Sequence, residues 1–264
     1  MLQTVRKIGP VLDLFTHERG DWGVAEVASA LDMPRSSAHA LLASLVETGL
    51  LRSRGRGRYR LGWRVVELGE MMRGTVDVRS YARPVMQELV RRFGETTNLA
   101  VLERGKVIYL DRVVGNQQLN VIGPRVGVRF DPHCTAAGKV LLAHQGAAEI
   151  NRYLACGPLP ALTGNTIVQP AVLASELQKI RMSGCALDAG EALAEIHCVG
   201  APIKDDFDSV IAALSITVLA SRFLPRIAEL KRAVTAAAAE ISARIVRASS
   251  TGQTWPQPVG RLGS

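Results

Sequence analysis

The chain of 264 residues has only four cysteines, Cys134, Cys156, Cys185 and Cys198, and no two of them form a CxxC pair. Thiols this sparse do not make a disulfide scaffold, and they fit a reducing compartment. Long apolar runs are lacking too. Arg6 and Lys7 near the N-terminus are not followed by the continuous apolar region and small-residue cleavage site of a secretory leader. The longest apolar region, Val210 to Ala220, is interrupted by Ser215 and Thr217 and is too short to span a bilayer. These absences predict a soluble, cytoplasmic protein with no membrane partner. No internal repeat is present.

What is there is globular in character. The composition is 47% hydrophobic and 21% charged, too apolar for a disordered chain, and the length suits a small domain followed by a medium one. A net charge of +8 and a pI near 9.7 point toward a polyanion, of which nucleic acid is the commonest.

Three early segments repeat the i, i+3, i+4, i+7 spacing of an amphipathic helix: Ile8, Val11, Leu12, Phe15; Val24, Val27, Ala28, Leu31; and Ala38, Leu41, Leu42, Leu45. Three short helices sharing one core are predicted. Gly20 is expected to close the first, Gly23 to cap the second, and Pro34 to stand at the start of the third. Asp32-Met33 leaves a tight turn between the second and third, which is helix-turn-helix spacing. The face of the third helix opposite its apolar stripe carries Ser36, Ala40, Ala43 and Glu47, with Ser37 and His39 flanking and Arg35 in the first turn. Such a small, polar face is either a solvated surface or one that lies in a major groove, with Arg35, Ser36, Ser37 and His39 reaching base edges and phosphates.

Leu50 to Arg54 and Arg58 to Leu61 are expected to pair as strands around Gly55-Arg56-Gly57, forming a wing. Arg52, Arg54, Arg56, Arg58 and Arg60 fall within nine residues without an acidic side chain. Alternation puts all five on one face if the turn keeps the register. Unneutralised arginines at this density directly behind a helix-turn-helix favour DNA phosphates or a minor groove over plain solvent, with Arg54, Arg56, Arg58 and Arg60 as the candidates.

A helical pattern from Trp63 to Met72 reads as a connector. Beyond it the expected elements are a helix from Pro84 to Phe93, a hairpin of Leu99 to Glu103 and Lys106 to Val113, and a strand near Leu119 to Ile122. Helices follow at Ala136 to His144, Glu149 to Leu154 and Pro170 to Arg181, with strands near Cys185 to Leu187, Cys198 to Ile203 and Val210 to Thr217, and a last helix from about Leu224 to Arg247. The whole is an α+β protein. Its predicted domains are a winged helix-turn-helix over 1–62, a linker helix over 63–79, an α/β second domain over 80–247, and a disordered tail over 248–264.

The chain resembles the IclR family of bacterial transcriptional regulators nearly throughout, up to about Arg247. The resemblance rests on Met33-Pro34-Arg35-Ser36-Ser37-Ala38-His39-Ala40-Leu41-Leu42, on Gly49-Leu50-Leu51, and on Gly57-Arg58-Tyr59-Arg60-Leu61-Gly62. Further along it rests on His133-Cys134-Thr135-Ala136-Ala137-Gly138-Lys139, and on the run from Gly184 through Asp188, Glu191 and Cys198 to Ala201-Pro202-Ile203-Lys204-Asp205 and Ala212 to Ile216. Two departures stand out: the family usually has arginine where Ala40 stands, and favours an aromatic at Lys204. The resemblance implies a GAF-like effector-binding domain, a homodimer or dimer of dimers on a palindromic or repeated double-stranded operator, and repression or activation switched by a small metabolite. It also implies an effector pocket lined by Ala136, Ala137, Asp188, Ile196, Cys198, Ser215 and Thr217, and no cofactor. Each of the seven has an ordinary structural reading as well, Cys198 as a small buried hydrophobe and Asp188 as a turn former.

Thr135 is expected to cap the helix beginning at Ala136, leaving the Ala137 and Gly138 N–H groups to face an anion. A small organic acid carrying a hydroxyl suits both those donors and Asp188. Two other classes stay open. His133-Cys134 and His197-Cys198 set imidazoles beside thiols, so that a Cys198–His133 cross-pair suggests a hydrolase or a metal site, although neighbours on a strand point to opposite faces. The second domain could also be purely structural.

Overall fold

The computed structural model describes residues 3–16, 18–74, 78–115 and 126–250. The expected strand near Leu119 to Ile122 and residues 251–264 of the expected tail lie outside the described residues. The contacts divide the chain into two units, Met1–Thr75 and Val76–Ser264.

In the first unit α1 (Gln3–Asp13), α2 (Val24–Ala30) and α3 (Arg35–Glu47) surround a three-stranded sheet of β1 (Trp22–Gly23), β2 (Leu51–Ser53) and β3 (Arg58–Leu61), in the order β1-β3-β2. α4 (Arg64–Gly74) follows. Helices this short are marginal alone. They are held by a common core in which Val11, Val27, Ala38, Leu42 and Leu45 are almost fully buried, each large side chain contributing about 1.5–3 kcal/mol. α1 stops well before Gly20. Leu14 ends it, its carbonyl accepting a hydrogen bond from the Trp22 indole at 2.7 Å, so tertiary packing rather than the glycine sets the boundary. Between α2 and α3, Asp32 takes a left-handed φ of 46° and the Met33 N–H bonds back to the Ala28 carbonyl at 2.9 Å, a Schellman-type stop.

The second unit is built on a six-stranded antiparallel sheet ordered β6-β5-β4-β9-β8-β7. Its strands are β4 (Thr96–Glu103), β5 (Lys106–Val113), β6 (Arg129–Phe130), β7 (Ala186–Ala189), β8 (Ile196–Lys204) and β9 (Val210–Leu219). Side chains alternate between the two faces. Leu99, Val199, Ala201, Ile203, Leu214, Ile216 and Val218 form one face, packed against α5 (Val78–Phe93) and α10 (Ile227–Ser249). The other face, with Ala100, Tyr109 and Ala213, packs against α6 (Ala136–Ala143) and α8 (Pro170–Ser183). α7 (Ala147–Leu154) and the short α9 (Ala220–Phe223) complete the unit.

α5 begins six residues before Pro84, which lies inside it. The buried stripe Val78, Ala82, Val85, Met86, Leu89 and Phe93 is continuous through the proline, and that burial outweighs its helix-breaking cost. The start of β4 was also hidden, because Thr96, Thr97 and Asn98 are polar yet at most 1% exposed.

Gly200 gives the first turn of α6 room to pack closely against β8. A Cβ there would lie 3.1 Å from the Ala136 carbonyl carbon and 3.2 Å from the Ala137 nitrogen, both backbone atoms that cannot swing aside. Gly200→Ala is therefore expected to lower unfolding stability by about 1–3 kcal/mol, as overpacked cores do, read from the urea midpoint at unchanged slope.

Candidate nucleic-acid interface and ligand site

α3 presents two chemically distinct faces. Ala38, Leu41, Leu42 and Leu45 are buried, while Arg35, Ser36, Ser37, His39 and Ala40 are all exposed. The exposed face starts at the helix N-terminus, where unpaired backbone N–H groups and Arg35 give positive potential. Arg35 and His39 hold no ion pair or side-chain hydrogen bond among the described residues.

The wing turns on Gly55, Arg56 and Gly57, with φ of 83°, 49° and 68° and a hydrogen bond from the Arg58 N–H to the Gly55 carbonyl at 3.0 Å. Two central residues at positive φ match the twist of a type I′ hairpin. Arginine is a poor choice for such a position, at a cost on the order of 1–2 kcal/mol. Register puts Arg52 opposite Arg60, on the face away from Tyr59 and the core.

The arginines are not unneutralised as their sequence implied. Arg58 Nη1 donates to Glu26 at 2.6 Å, and Arg60 grips Asp21 through Nε at 2.6 Å and through Nη2. Arg54 lies 3.7 Å from the same Asp21, and the Arg52 guanidinium sits 5.0 Å from the Trp63 ring centroid. Arg56 has no ion pair among the described residues.

In the second unit the seven expected pocket positions meet on one sheet face and the helix above it. Asp188, Cys198 and Thr217 stand in one cross-strand row, and Gly200 and Ser215 in the next, with Ile196 beyond Cys198 on the same face. Ala136 and Ala137, at the start of α6, lie directly over Gly200. Thr135 caps α6, its hydroxyl accepting from the Gly138 N–H at 3.0 Å. Gly138 is thus not the free donor expected from the sequence. Ala136 and Ala137 keep N–H groups that have no partner within the helix.

Sequence reasoning missed Asn98, which register places beside Ser215. Its Nδ2 donates to Thr217 Oγ1 at 2.9 Å, Thr217 lies 3.4 Å from Cys198 Sγ, and the buried Asn98 Oδ1 has no partner. The strand expected from the sequence begins at Leu99, one residue after Asn98, whereas β4 begins at Thr96. Lys139 did carry a signal, being one charge inside Ala136-Ala137-Gly138-Lys139-Val140-Leu141-Leu142-Ala143. It is 1% exposed, and its Nζ donates to Glu191 Oε1 at 2.5 Å, while Glu191 Oε2 is buried without a partner.

Asp188 Oδ1 accepts from the Glu191 N–H at 2.6 Å. Burial nonetheless dominates, and it pushes the Asp188 carboxyl up to about 7, with the Glu191 charge adding to the rise and Lys139 opposing it. Burial also pushes the Cys134 thiol up to about 12 and raises Cys198 well above its ordinary value, with the Asp188 charge reinforcing both. Neither is a ready thiolate.

His133 is not paired with Cys198. Its Nε2 donates to the Pro160 carbonyl at 2.9 Å, and Nδ1 accepts from the Tyr153 hydroxyl at 2.7 Å, so both ring nitrogens are occupied. His197 packs edge-on against Phe223 with centroids 5.1 Å apart, on the sheet face opposite Cys198. Among the described residues no group of three or more His, Cys, Asp or Glu side chains could hold a metal ion.

A carboxyl protonated in the fold at a pH where the unfolded chain is ionised weakens stability as pH rises from about 4 to 7. Asp188→Asn removes that loss. The variant should match the wild type in thermal midpoint near pH 4 and exceed it at pH 8, as followed by circular dichroism. A constant difference across that range would place the Asp188 carboxyl in water.

The model of the family described as "Bacterial transcriptional regulator IclR C-terminal" matches residues 72–243, and that of the "IclR helix-turn-helix domain" matches residues 4–55. The chain is 33% identical over 223 residues to the HTH-type transcriptional regulator XynR of Escherichia coli K12, covering 84% of this chain and 88% of that one. Among solved structures, an IclR regulator from a Silicibacter species is 28% identical with a TM-score of 0.83, covering 96% of this chain and 98% of that one. An IclR homologue from Microbacterium hydrocarbonoxydans, complexed with 4-hydroxybenzoate, is 27% identical with a TM-score of 0.79, covering 93% of this chain and 100% of that one.

Proposed function

This chain belongs to the IclR family of bacterial transcriptional regulators, and we propose that it reads an operator with Arg35, Ser36, Ser37 and His39 while a small organic acid bound on the second unit's sheet sets its activity. The observation that carries the DNA reading is the exposed, small-residue face of α3 backed by a wing whose tip arginine is held in a strained backbone. Arg56 and Arg54 supply phosphate contacts that do not depend on sequence, and Arg58 and Arg60 stand behind them. A pair of winged helices is needed for high specificity, so the chain acts as a dimer or a dimer of dimers on a palindromic or repeated site. A monomer in solution that protects a single half-site overturns that part.

The ligand reading rests on the row Asp188, Cys198, Thr217 with Ser215, Asn98 and the Ala136 and Ala137 N–H groups. A carboxylate suits the helix donors, and a ligand hydroxyl suits Asp188 or the open Asn98 oxygen. The 4-hydroxybenzoate held by the Microbacterium homologue has both groups. The full occupancy of His133 supports a regulator without a catalytic step. No helix of the described residues is long and apolar enough to cross a membrane, and we read the chain as working in the cytoplasm, where its operator is.

Two measurements test this. Arg56→Gly relieves the left-handed strain, so folding stability should hold or rise by up to about 1 kcal/mol while the log–log salt slope of DNA binding falls by about one. An unchanged slope puts the wing tip in solvent. In a DNA-release screen, small hydroxy acids including 4-hydroxybenzoate should act where their methyl esters do not, and Asp188→Asn or Ser215→Ala should alter the response. Equal action of acids and esters, or indifference to both substitutions, leaves the second unit without its proposed ligand.

A further inference from the structure

The arginine face of the wing is paired largely with carboxylates of its own unit. Of its basic side chains, Arg60 is forked onto Asp21, Arg58 is on Glu26, with its Nη2 also donating to the Asp21 carbonyl at 3.1 Å, and Arg54 is within 3.7 Å of Asp21. Arg19 also pairs with Glu26 and lies over the Trp22 ring, 3.6 Å from its centroid. Asp21 immediately precedes β1, the strand that borders β3, and Glu26 lies in the first turn of α2. All these side chains remain substantially open to solvent, from 27% for Asp21 to 63% for Arg54.

An arginine forked onto a carboxylate uses the same planar pair of donors that it would offer a phosphate. One guanidinium cannot give that fork to both. We infer that Asp21 and Glu26 are built-in counter-anions that withhold Arg58 and Arg60 from the DNA backbone, and so make them specificity-determining residues that hold down sequence-independent affinity. The inference rests on the DNA-binding reading above. The Arg60 hydrogen bond first, and then nearby guanidinium charge, holds the Asp21 carboxyl below its usual range, and the Gly23 N–H does the same for Glu26. Both carboxylates therefore stay ionised wherever DNA binding would be measured. An arginine neutralised from within releases no DNA counterion unless its carboxylate is displaced, so it adds little to the salt slope. Among the described residues, Arg56 and Arg52 are the wing arginines without a carboxylate partner. Random DNA is then held weakly, and base contacts from α3 decide where the protein rests.

The test uses the full chain and a random-sequence duplex of about 30 base pairs, followed by fluorescence anisotropy across a salt series. Asp21→Asn and Glu26→Gln keep size and an acceptor oxygen, and the glutamine still receives the Gly23 N–H that caps α2. Each should tighten binding at 0.15 M salt by about three- to tenfold and steepen the log–log slope by about one. Arg60→Gln should cost little in the wild type and abolish the gain in Asp21→Asn, a coupling that survives even if one variant lowers the thermal midpoint. Weaker binding by Asp21→Asn at an unchanged midpoint would mean that the carboxylates aim the arginines at DNA, and overturns the inference. So does an unchanged slope in both carboxylate variants. If neither the wild type nor either carboxylate variant binds the duplex even at low salt, the DNA-binding reading fails first, which separates the two.

Discussion

The second unit depends on a lysine ammonium held where water does not reach. Lys139 sits in a helix whose every residue is buried, and Glu191, between β7 and β8, is the carboxylate that answers it. Removing two ions from water costs several kcal/mol each, and their attraction repays this only in good geometry, so the pair fixes position more than it adds stability. α6 is tied at its middle to the β7–β8 connection, and at its start it lies on Gly200 with Thr135 capping it. Register, cap and ion pair together leave the helix one seat on the sheet. The first turn of α6, with Ala136 and Ala137, thereby lies over Gly200, beside the row of Cys198, Thr217 and Asp188.

That seat explains the unusual chemistry of the face below it. Ser215, Thr217, Asn98, Thr96 and Asp188 are each at most 2% exposed on a face that also carries Ala100, Val107, Tyr109 and Ala213. A sheet face built only for packing would be apolar, as the opposite one is with its leucines, isoleucines and valines. The orphan oxygens of Asn98 and Glu191 are the residue of this arrangement, since a buried acceptor left open costs about 1–3 kcal/mol.

The sequence made some of this legible because the information was local. Helical spacing found α2 and α3, and Gly55-Arg56-Gly57 found the wing. The pocket positions came from resemblance, since nothing in their spacing singled them out. What could not be read was set by partners distant along the chain. Glu26 is 32 residues from Arg58 and Asp21 is 39 from Arg60, so a run without a single acid appeared unneutralised although its counter-charges were waiting before β1 and in α2. His133 was open to pairing with Cys198 until Tyr153 and Pro160, 20 and 27 residues on, were seen to take both nitrogens. Polar strand starts and a proline inside α5 misled for another reason: there, burial overrides local preference.

Local preference is violated at Arg56 and at Asp188. Arg56 occupies a left-handed position that glycine fills without strain, and its guanidinium has no ion pair among the described residues. Asp188 is buried against a second carboxylate, where asparagine could accept the same backbone hydrogen bond without the charge. Folding alone explains neither residue, because in each case a neutral or smaller side chain would serve the local structure at least as well. Both departures, one at the wing and one beneath α6, fall where we propose that DNA and a small ligand bind. That is where a sequence otherwise consistent with its fold is expected to depart from it.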